Sequence, residues 1–302
     1  MKALLALALP GVLALGGSVT ACTAFSADTA GLDDGVQVAA AFYPLAYIAQ
    51  RVAGTHATVE NLTAPGGEPH DLEPTVGETA EVARADLVVF ERGFQPSVDD
   101  TVDENAAGEV LDVADVVDLV PFRDHGVDSP EDDPHFWQDP LLLADVGDAV
   151  AARLGSVDPA RADEYAANAA DLRSDLTRLD HEYTAGLADC ERDTVVVSHD
   201  AFGYLQRYGL HVETILGLSP DSEPTPADLA RLQDLIRTEG ITTVFSETLV
   251  SPAVAQSLAR DTGVTSAVLD PIEGLTDATS EQTYLSLMRA NLAALEEANG
   301  CA

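Results

Sequence analysis

The sequence predicts an α/β protein of two lobes, each a parallel sheet flanked by helices, joined by one long rigid helix. Three observations carry this expectation. Short apolar runs alternate with amphipathic stretches across residues 35–157, the same alternation recurs across 190–302, and one long helical pattern, continuous or broken near Asn168, lies between them. Alternation of that kind is the pattern of βα units, whose parallel strands need helical crossovers. A chain of 302 residues that is 46% hydrophobic has enough apolar side chain to bury the core of both halves.

In the first half the runs 36–42, 57–62, 87–91 and 116–120 read as strands, with helices at 44–52, 77–85 and 140–154. Only Leu87-Val88-Val89-Phe90 is a strong strand signal by itself. From Asp158, placed as N-cap with Pro159 at the first helical position, Tyr165, Ala169, Leu172, Leu176, Leu179, Tyr183 and Leu187 follow at spacings of three and four. This linking helix is assigned to 158–189; at 1.5 Å per residue it would span roughly 40 Å, enough to run from one lobe to the other. In the second half 194–198, 212–216, 242–246 and 265–269 read as strands. Thr225-Pro226 opens a helix that Gly240 ends, and a last helix covers about 280–298. The halves share no repeated sequence, so any likeness between them is architectural.

The chain opens with Lys2, an apolar run from Ala3 to Leu15 and small residues, the pattern of an export signal over 1–21. Val19-Thr20-Ala21-Cys22 looks like the lipobox of bacterial lipoproteins, which implies cleavage before Cys22 and a lipid on it. Residues 22–34 then form a small, polar tether, and the protein is expected on the outer face of the bacterial cytoplasmic membrane. Two cysteines remain, Cys190 and Cys301, in a compartment that permits a disulfide. Such a bridge would close a loop of about 110 residues, on the order of 4 to 5 kcal/mol in the chain-entropy account; the alternative is two free thiols. The net charge of −37, with Lys2 the only lysine, argues against nucleic acid as a partner, which needs clustered positive charge. An acidic surface can concentrate cations, although such a bias is commonly a solubility trait.

Four residues stand out as metal ligands. His70 lies in Pro65-Gly-Gly-Glu-Pro-His-Asp-Leu-Glu-Pro74, a loop stiffened by three prolines. His135 lies in Asp133-Pro-His-Phe-Trp-Gln-Asp-Pro140, His199 ends the strand at 194–198, and Asp270 follows Val268-Leu269. In open α/β sheets ligands bind beyond the carboxyl ends of strands, and His70, His199 and Asp270 fit that placement directly. Each has an ordinary reading as well: His135 could pack on Trp137, His199 could cap the next helix, and Asp270 could form an Asx-turn before Pro271.

Together, Pro-His-Asp-Leu-Glu-Pro, Asp-Pro-His-Phe-Trp-Gln-Asp-Pro, Val-Val-Ser-His-Asp-Ala-Phe-Gly-Tyr-Leu and Leu-Asp-Pro-Ile-Glu-Gly resemble the motifs of the cluster A-I solute-binding lipoproteins, the zinc and manganese binding components of ABC importers. The resemblance covers nearly the whole chain after Cys22. It implies two lobes with a metal in the cleft between them, held by His70, His135, His199 and Asp270, and a monomer that hands its ion to a membrane permease driven by a cytoplasmic ATPase. Three imidazoles and a carboxylate suit zinc, Zn2+, in a tetrahedral site, whereas manganese, Mn2+, prefers more oxygen donors. Manganese-selective members often place a carboxylate where this chain has His199. One departure is that many zinc members carry a His-rich loop before the second ligand, and here 121–133 holds only His125 among acids.

Glu73, Asp200, Glu247 and Glu273 are candidates to orient the imidazoles from outside, Glu247 first among them because it ends Val-Phe-Ser-Glu. His56, His125, His181 and His211 read as surface or structural. Two rival functions are a metalloenzyme, which would keep a coordination position open beside a base, and a surface adhesin on the same fold. No such base is set aside in the motifs, so the expectation is a carrier and not an enzyme.

Overall fold

The computed structural model describes residues 35–124, 127–218, 220 and 222–302. The export signal, the tether and Cys22 lie outside them, as does His125.

The first half runs β1 (Val36–Ala40), α1 (Tyr43–Ala53), β2 (Ala57–Asn61), α2 (Val76–Arg84), β3 (Leu87–Phe90), α3 (Pro96–Asn105) and β4 (Glu109–Asp112). A hairpin of β5 (Pro121–Asp124) and β6 (Val127–Asp132) leads into α4 (Pro140–Val157) and the long α5 (Ala162–Gly186). The second half runs β7 (Thr194–Val197), β8 (His211–Thr214), α6 (Pro226–Glu239), β9 (Thr243–Ser246), α7 (Ala253–Thr262), β10 (Thr265–Val268) and α8 (Tyr284–Asn299).

The two main sheets are parallel and have the same topology. The first is ordered β2-β1-β3-β4 and the second β8-β7-β9-β10, so each places its third strand beside its first. The inner strands β3, β7 and β9 are buried along their length, which is why they read as unbroken apolar runs. The edge strand β10 is half exposed. In both sheets the order reverses between the first and third strands, and the crevice where a ligand can bind lies beyond their carboxyl ends.

The hairpin of β5 and β6 has no counterpart in the sequence expectation, and three further features differ from it. Residues 116–120 are not a strand. The fourth strand of the first sheet is Glu109–Asp112, paired residue for residue with Leu87–Phe90, and Asp112 ends it by accepting the backbone N–H of Ala114 in a 3-10 turn. The helices α3 and α7 were not anticipated because each buries only two or three apolar side chains, Val98 and Val102 in one, Ala255, Leu258 and Ala259 in the other. The long helix starts later than Asp158: Pro159–Arg161 form a 3-10 turn, and the Asp158 carboxylate accepts from the Tyr165 hydroxyl at 3.2 Å instead of capping. From Ala162 the helix is unbroken for 25 residues.

This helix is no free-standing strut. Its apolar face, Tyr165 through Tyr183, packs on α1 and α4 of the first half and on α8 of the second, within a hydrophobic core that runs through both. Asn168 donates to the Val52 carbonyl at the end of α1, and the Tyr183 hydroxyl donates to Met288 O in α8. Among the described residues no helix is long and apolar enough to cross a membrane.

Cys190 and Cys301 form a disulfide across a sequence separation of 111, with the two residues also paired as an isolated antiparallel bridge. It ties the end of α8 to the approach to β7. Replacing both by serine should lower the thermal unfolding midpoint by roughly 10 °C, from a loop-closure contribution of about 4 kcal/mol. Differential scanning calorimetry of the two forms reads this directly.

Candidate metal centre

His70, His135, His199 and Glu273 each present one donor atom, and the four atoms lie within 4.8 Å of one another. The centre of the group is one oxygen. Glu273 Oε1 lies 3.4 Å from His70 Nε2, 3.3 Å from His135 Nε2 and 3.4 Å from His199 Nε2. His135, His199 and Glu273 are fully enclosed, and only His70 is partly open, with 12% of its side chain exposed.

Three of the expected ligands are therefore brought together, and the carboxylate that joins them is Glu273 rather than Asp270. The Asp270 carboxylate turns to its own backbone: Oδ1 accepts the Ile272 N–H at 2.8 Å, the Asx-turn arrangement. Its main chain is clamped by Asn291 of α8, which donates to Asp270 O and accepts from Asp270 N. Ile272, fully buried, has φ of 62°, the only non-glycine residue with positive φ among those described. For a β-branched residue that conformation costs about 1–3 kcal/mol and persists only where the surroundings impose it. The Asp270 carboxylate holds the Ile272 N–H in that conformation, in the turn that precedes Glu273.

The same device positions His135. In Asp133-Pro134-His135, Asp133 Oδ1 accepts the His135 N–H at 3.0 Å and also lies 2.8 Å from His135 Nδ1. Asp139-Pro140-Leu141 repeats it to cap α4. Asp133 was not anticipated as an imidazole partner, although an Asp-Pro two residues before a histidine carries the signal. A Cβ on Gly203 would lie 2.5 Å from Asp133 Oδ2, so glycine is needed where the second half meets this turn.

His199 follows β7, and Glu247 follows β9 beside it. Glu247 Oε1 lies 2.7 Å from His199 Nδ1 and accepts the His199 backbone N–H at 3.1 Å. The structure thus places Glu247 against a site histidine. Glu73 is exposed, and Asp200 is partly buried in a neighbouring cavity with Tyr204 and Arg207. His70 is held through its loop: Gln95 donates to Pro69 O at 2.9 Å, Gly66 N donates to Leu275 O at 2.7 Å, and the Phe94 ring packs edge-on to the imidazole at 4.6 Å. His56 pairs with Glu164 and His211 lies by Asp193, both remote from the site.

The two sides of the site are braced directly. Trp137 Nε1 and Gln138 Nε2 both donate to Pro271 O, at 2.8 and 2.6 Å, which fixes the His135 segment to the Glu273 turn. The Tyr284 hydroxyl donates to Trp137 O.

Charge in the cluster is finely opposed. Burial pushes the Glu273 carboxyl up, but His135, His199 and His70 outweigh it and hold the group well below the usual carboxylate range. Burial lowers His199, yet Glu247 and Glu273 push it up to about 10. His135 is raised against burial by Asp133 and Glu273. Burial is also the main cause that raises Asp270, to about 6.

The donor set fits a small transition-metal ion. Nε2 of His135 and of His199 is buried without a hydrogen-bond partner among the described residues, an unusual state for a polar atom. Donors placed 2.0–2.1 Å from a tetrahedral zinc ion are roughly 3.3–3.4 Å apart, the separation found between Glu273 Oε1 and each imidazole nitrogen.

A two-lobed α/β protein with three imidazoles and a carboxylate converged between its sheets is a metal-binding protein of the solute-receptor class. The chain belongs to the family described as zinc-uptake complex component A, periplasmic, whose profile matches residues 38–298. It is 33% identical over 281 residues to the zinc-binding lipoprotein AdcA of Streptococcus pneumoniae, covering 88% of this chain and 56% of AdcA. The chain thus spans about half the length of that relative. It is 31% identical over 299 residues to the high-affinity zinc uptake system protein ZnuA of Bacillus subtilis, covering 92% of this chain and 93% of the other. The Zn(II)-bound ZnuA-like domain of AdcA matches the fold with a TM-score of 0.76 at 31% identity, over 88% of this chain and 99% of that one. The laminin-binding protein Lmb of Streptococcus agalactiae, described as bifunctional with adhesin and metal transporting activity, matches with a TM-score of 0.80 at 30% identity, over 87% and 99%.

If Asp270 acts by aiming Glu273, Asp270→Ala should weaken zinc binding about 10–100-fold, the usual effect of losing a group that orients a ligand. Asp270→Asn, which keeps the Oδ1 acceptor, should bind within a few-fold of the parent. Competition titrations against a zinc chelator separate the two.

Proposed function

We propose that this protein is an extracytoplasmic carrier that captures one zinc ion with His70, His135, His199 and Glu273 and delivers it to the permease of an ABC importer powered by a cytoplasmic ATPase. The observation that carries the reading is the position of Glu273 Oε1, at 3.3–3.4 Å from each of three imidazole nitrogens. Zinc is favoured over manganese because three nitrogen donors and one oxygen form a complete tetrahedral set, while manganese prefers more oxygen ligands. Four protein donors leave no position reserved for an activated water, which suits a carrier better than a hydrolase. The zinc-binding and zinc-uptake names of the relatives support the same cargo.

In this reading residues 35–157 form the first lobe, 158–189 the linking helix and 190–302 the second lobe. Cys22, released by cleavage of 1–21 and carrying lipid, anchors a monomer to the outer face of the membrane through the tether. Adhesion is a second reading, supported by the likeness to Lmb; surface plasmon resonance against immobilised laminin tests it, with saturable binding expected if it holds.

Calorimetric titration of the metal-free protein should give one zinc per chain. His199→Ala and Glu273→Ala should each weaken binding by more than roughly 100-fold while circular dichroism stays unchanged, since losing a direct ligand costs more than losing a supporting group. An unaltered affinity in either variant removes that residue from the site.

Zinc must also displace protons. In the metal-free protein His199 is raised to about 10, so it carries a proton at neutral pH that zinc expels. Apparent affinity should therefore rise as pH is raised from 6 towards about 10, with at least one proton released near pH 7. Titrations in buffers of different ionisation enthalpy count that proton.

A further inference from the structure

His70 is the one partly open member of the cluster, so the cluster is reached from its side. The space there is a cavity of about 790 Å3, lined by His70 and by five acids, Glu91, Asp112, Asp115, Asp118 and Asp132. Arg92 is in the wall too, but its guanidinium is engaged by Asp103 and Asp112.

Glu91 is the unusual member. It is 2% exposed, and neither Oε1 nor Oε2 has a hydrogen-bond partner among the described residues. A buried carboxylate with no partner is costly, by several kcal/mol if charged, and native structures rarely keep one without use. Its place in the fold is informative. Glu91 is the first residue after β3, the third strand of its sheet, and Glu247 is the first residue after β9, the third strand of the other. The two sheets share one topology, so these carboxylates stand at equivalent crevices. Glu247 is occupied by His199, whereas the residues after β1 at the equivalent place in the first sheet are Ala41 and Phe42, which have nothing to offer a carboxylate.

We propose that Glu91 and the acids around it form a second, carboxylate-only site for a divalent cation, which holds the ion partly hydrated at the mouth of the histidine cluster. An incomplete set of carboxylate oxygens around a still-hydrated ion holds zinc less tightly than imidazole nitrogens do and releases it readily, which suits a loading station. The surrounding negative charge raises the local cation concentration and the rate of capture. Burial, reinforced by Asp133 and Asp112, holds the Glu91 carboxyl well above the usual range, so its two unsatisfied oxygens become donors as the ion displaces its proton; the exposed Asp115 and Asp118 supply charge at the entrance, and the open edge of His70 is the first nitrogen the ion meets. The loading role rests on zinc binding at the histidines; the second site does not.

The test uses the full chain carrying His199→Ala, with Mn2+ as probe and electron paramagnetic resonance to read free Mn2+. One weak Mn2+ is expected, with a dissociation constant on the order of 10⁻⁴ to 10⁻³ M. Adding Glu91→Gln, or Asp115→Asn with Asp118→Asn, should weaken it at least tenfold, while the exposed Glu297→Gln should not. If Glu91→Gln and the paired aspartate variant both titrate like Glu297→Gln, binding is to the general acidic surface and the site is overturned. In the protein with His199 intact, stopped-flow zinc association should slow several-fold with Glu91→Gln at unchanged stoichiometry. An unchanged rate overturns the loading role. Should the histidines fail to take zinc at all, the manganese titration still decides whether Glu91 forms a site.

Discussion

The structure depends on one carboxylate shared by three imidazoles. Glu273 Oε1 contacts the Nε2 atoms of His70 and His135, from the first half, and of His199, from the second. Without a metal, the attraction between a deprotonated Glu273 and the raised His135 and His199 imidazoles offsets the cost of burying them. In the proposed carrier the same four atoms would be the ligands of the ion, and the protons would leave as it binds. A site that is already assembled has little chain left to order when the ion arrives, so less binding free energy is spent on organisation.

That assembly has to be enforced, because four polar groups with few hydrogen bonds would otherwise move apart to find water. Enforcement comes from turns and braces. Asp133 and Asp270 each use an Asp-Pro turn to set the residue two positions on, and Asp270 thereby holds Ile272 in a conformation it would not adopt alone. Trp137 and Gln138 join these two turns through the Pro271 carbonyl, so neither half can shift its ligand without loosening the other. Phe42, Phe94 and Trp137 pack as tilted and edge-on rings behind His70 and His135 and keep water from that face.

The long helix has a related role. Its burial against α1, α4 and α8 puts both sheets on one continuous core, so their carboxyl ends stay facing each other. The histidines and the glutamate of the cluster meet from the segments after β2, β6, β7 and β10. The acidic cavity beside His70 follows from the same geometry, since Glu91 stands at the crevice of the first sheet as Glu247 does at that of the second.

Much of this was determined by the sequence alone. The buried strands are apolar runs, the linking helix is a three-four repeat, and each histidine sits in a motif after a strand or before a helix, because burial and periodicity are local properties. The short helices α3 and α7 were not legible, since their few apolar residues give too weak a period, and 116–120 misled because an apolar run near a sheet need not pair with it. The choice between Asp270 and Glu273 was decided only by the tertiary structure. Both are acids in one short turn, and only the fold commits the Asp270 carboxylate to the Ile272 N–H and its main chain to Asn291 of a distant helix, while Glu273 Oε1 lies against the three histidines.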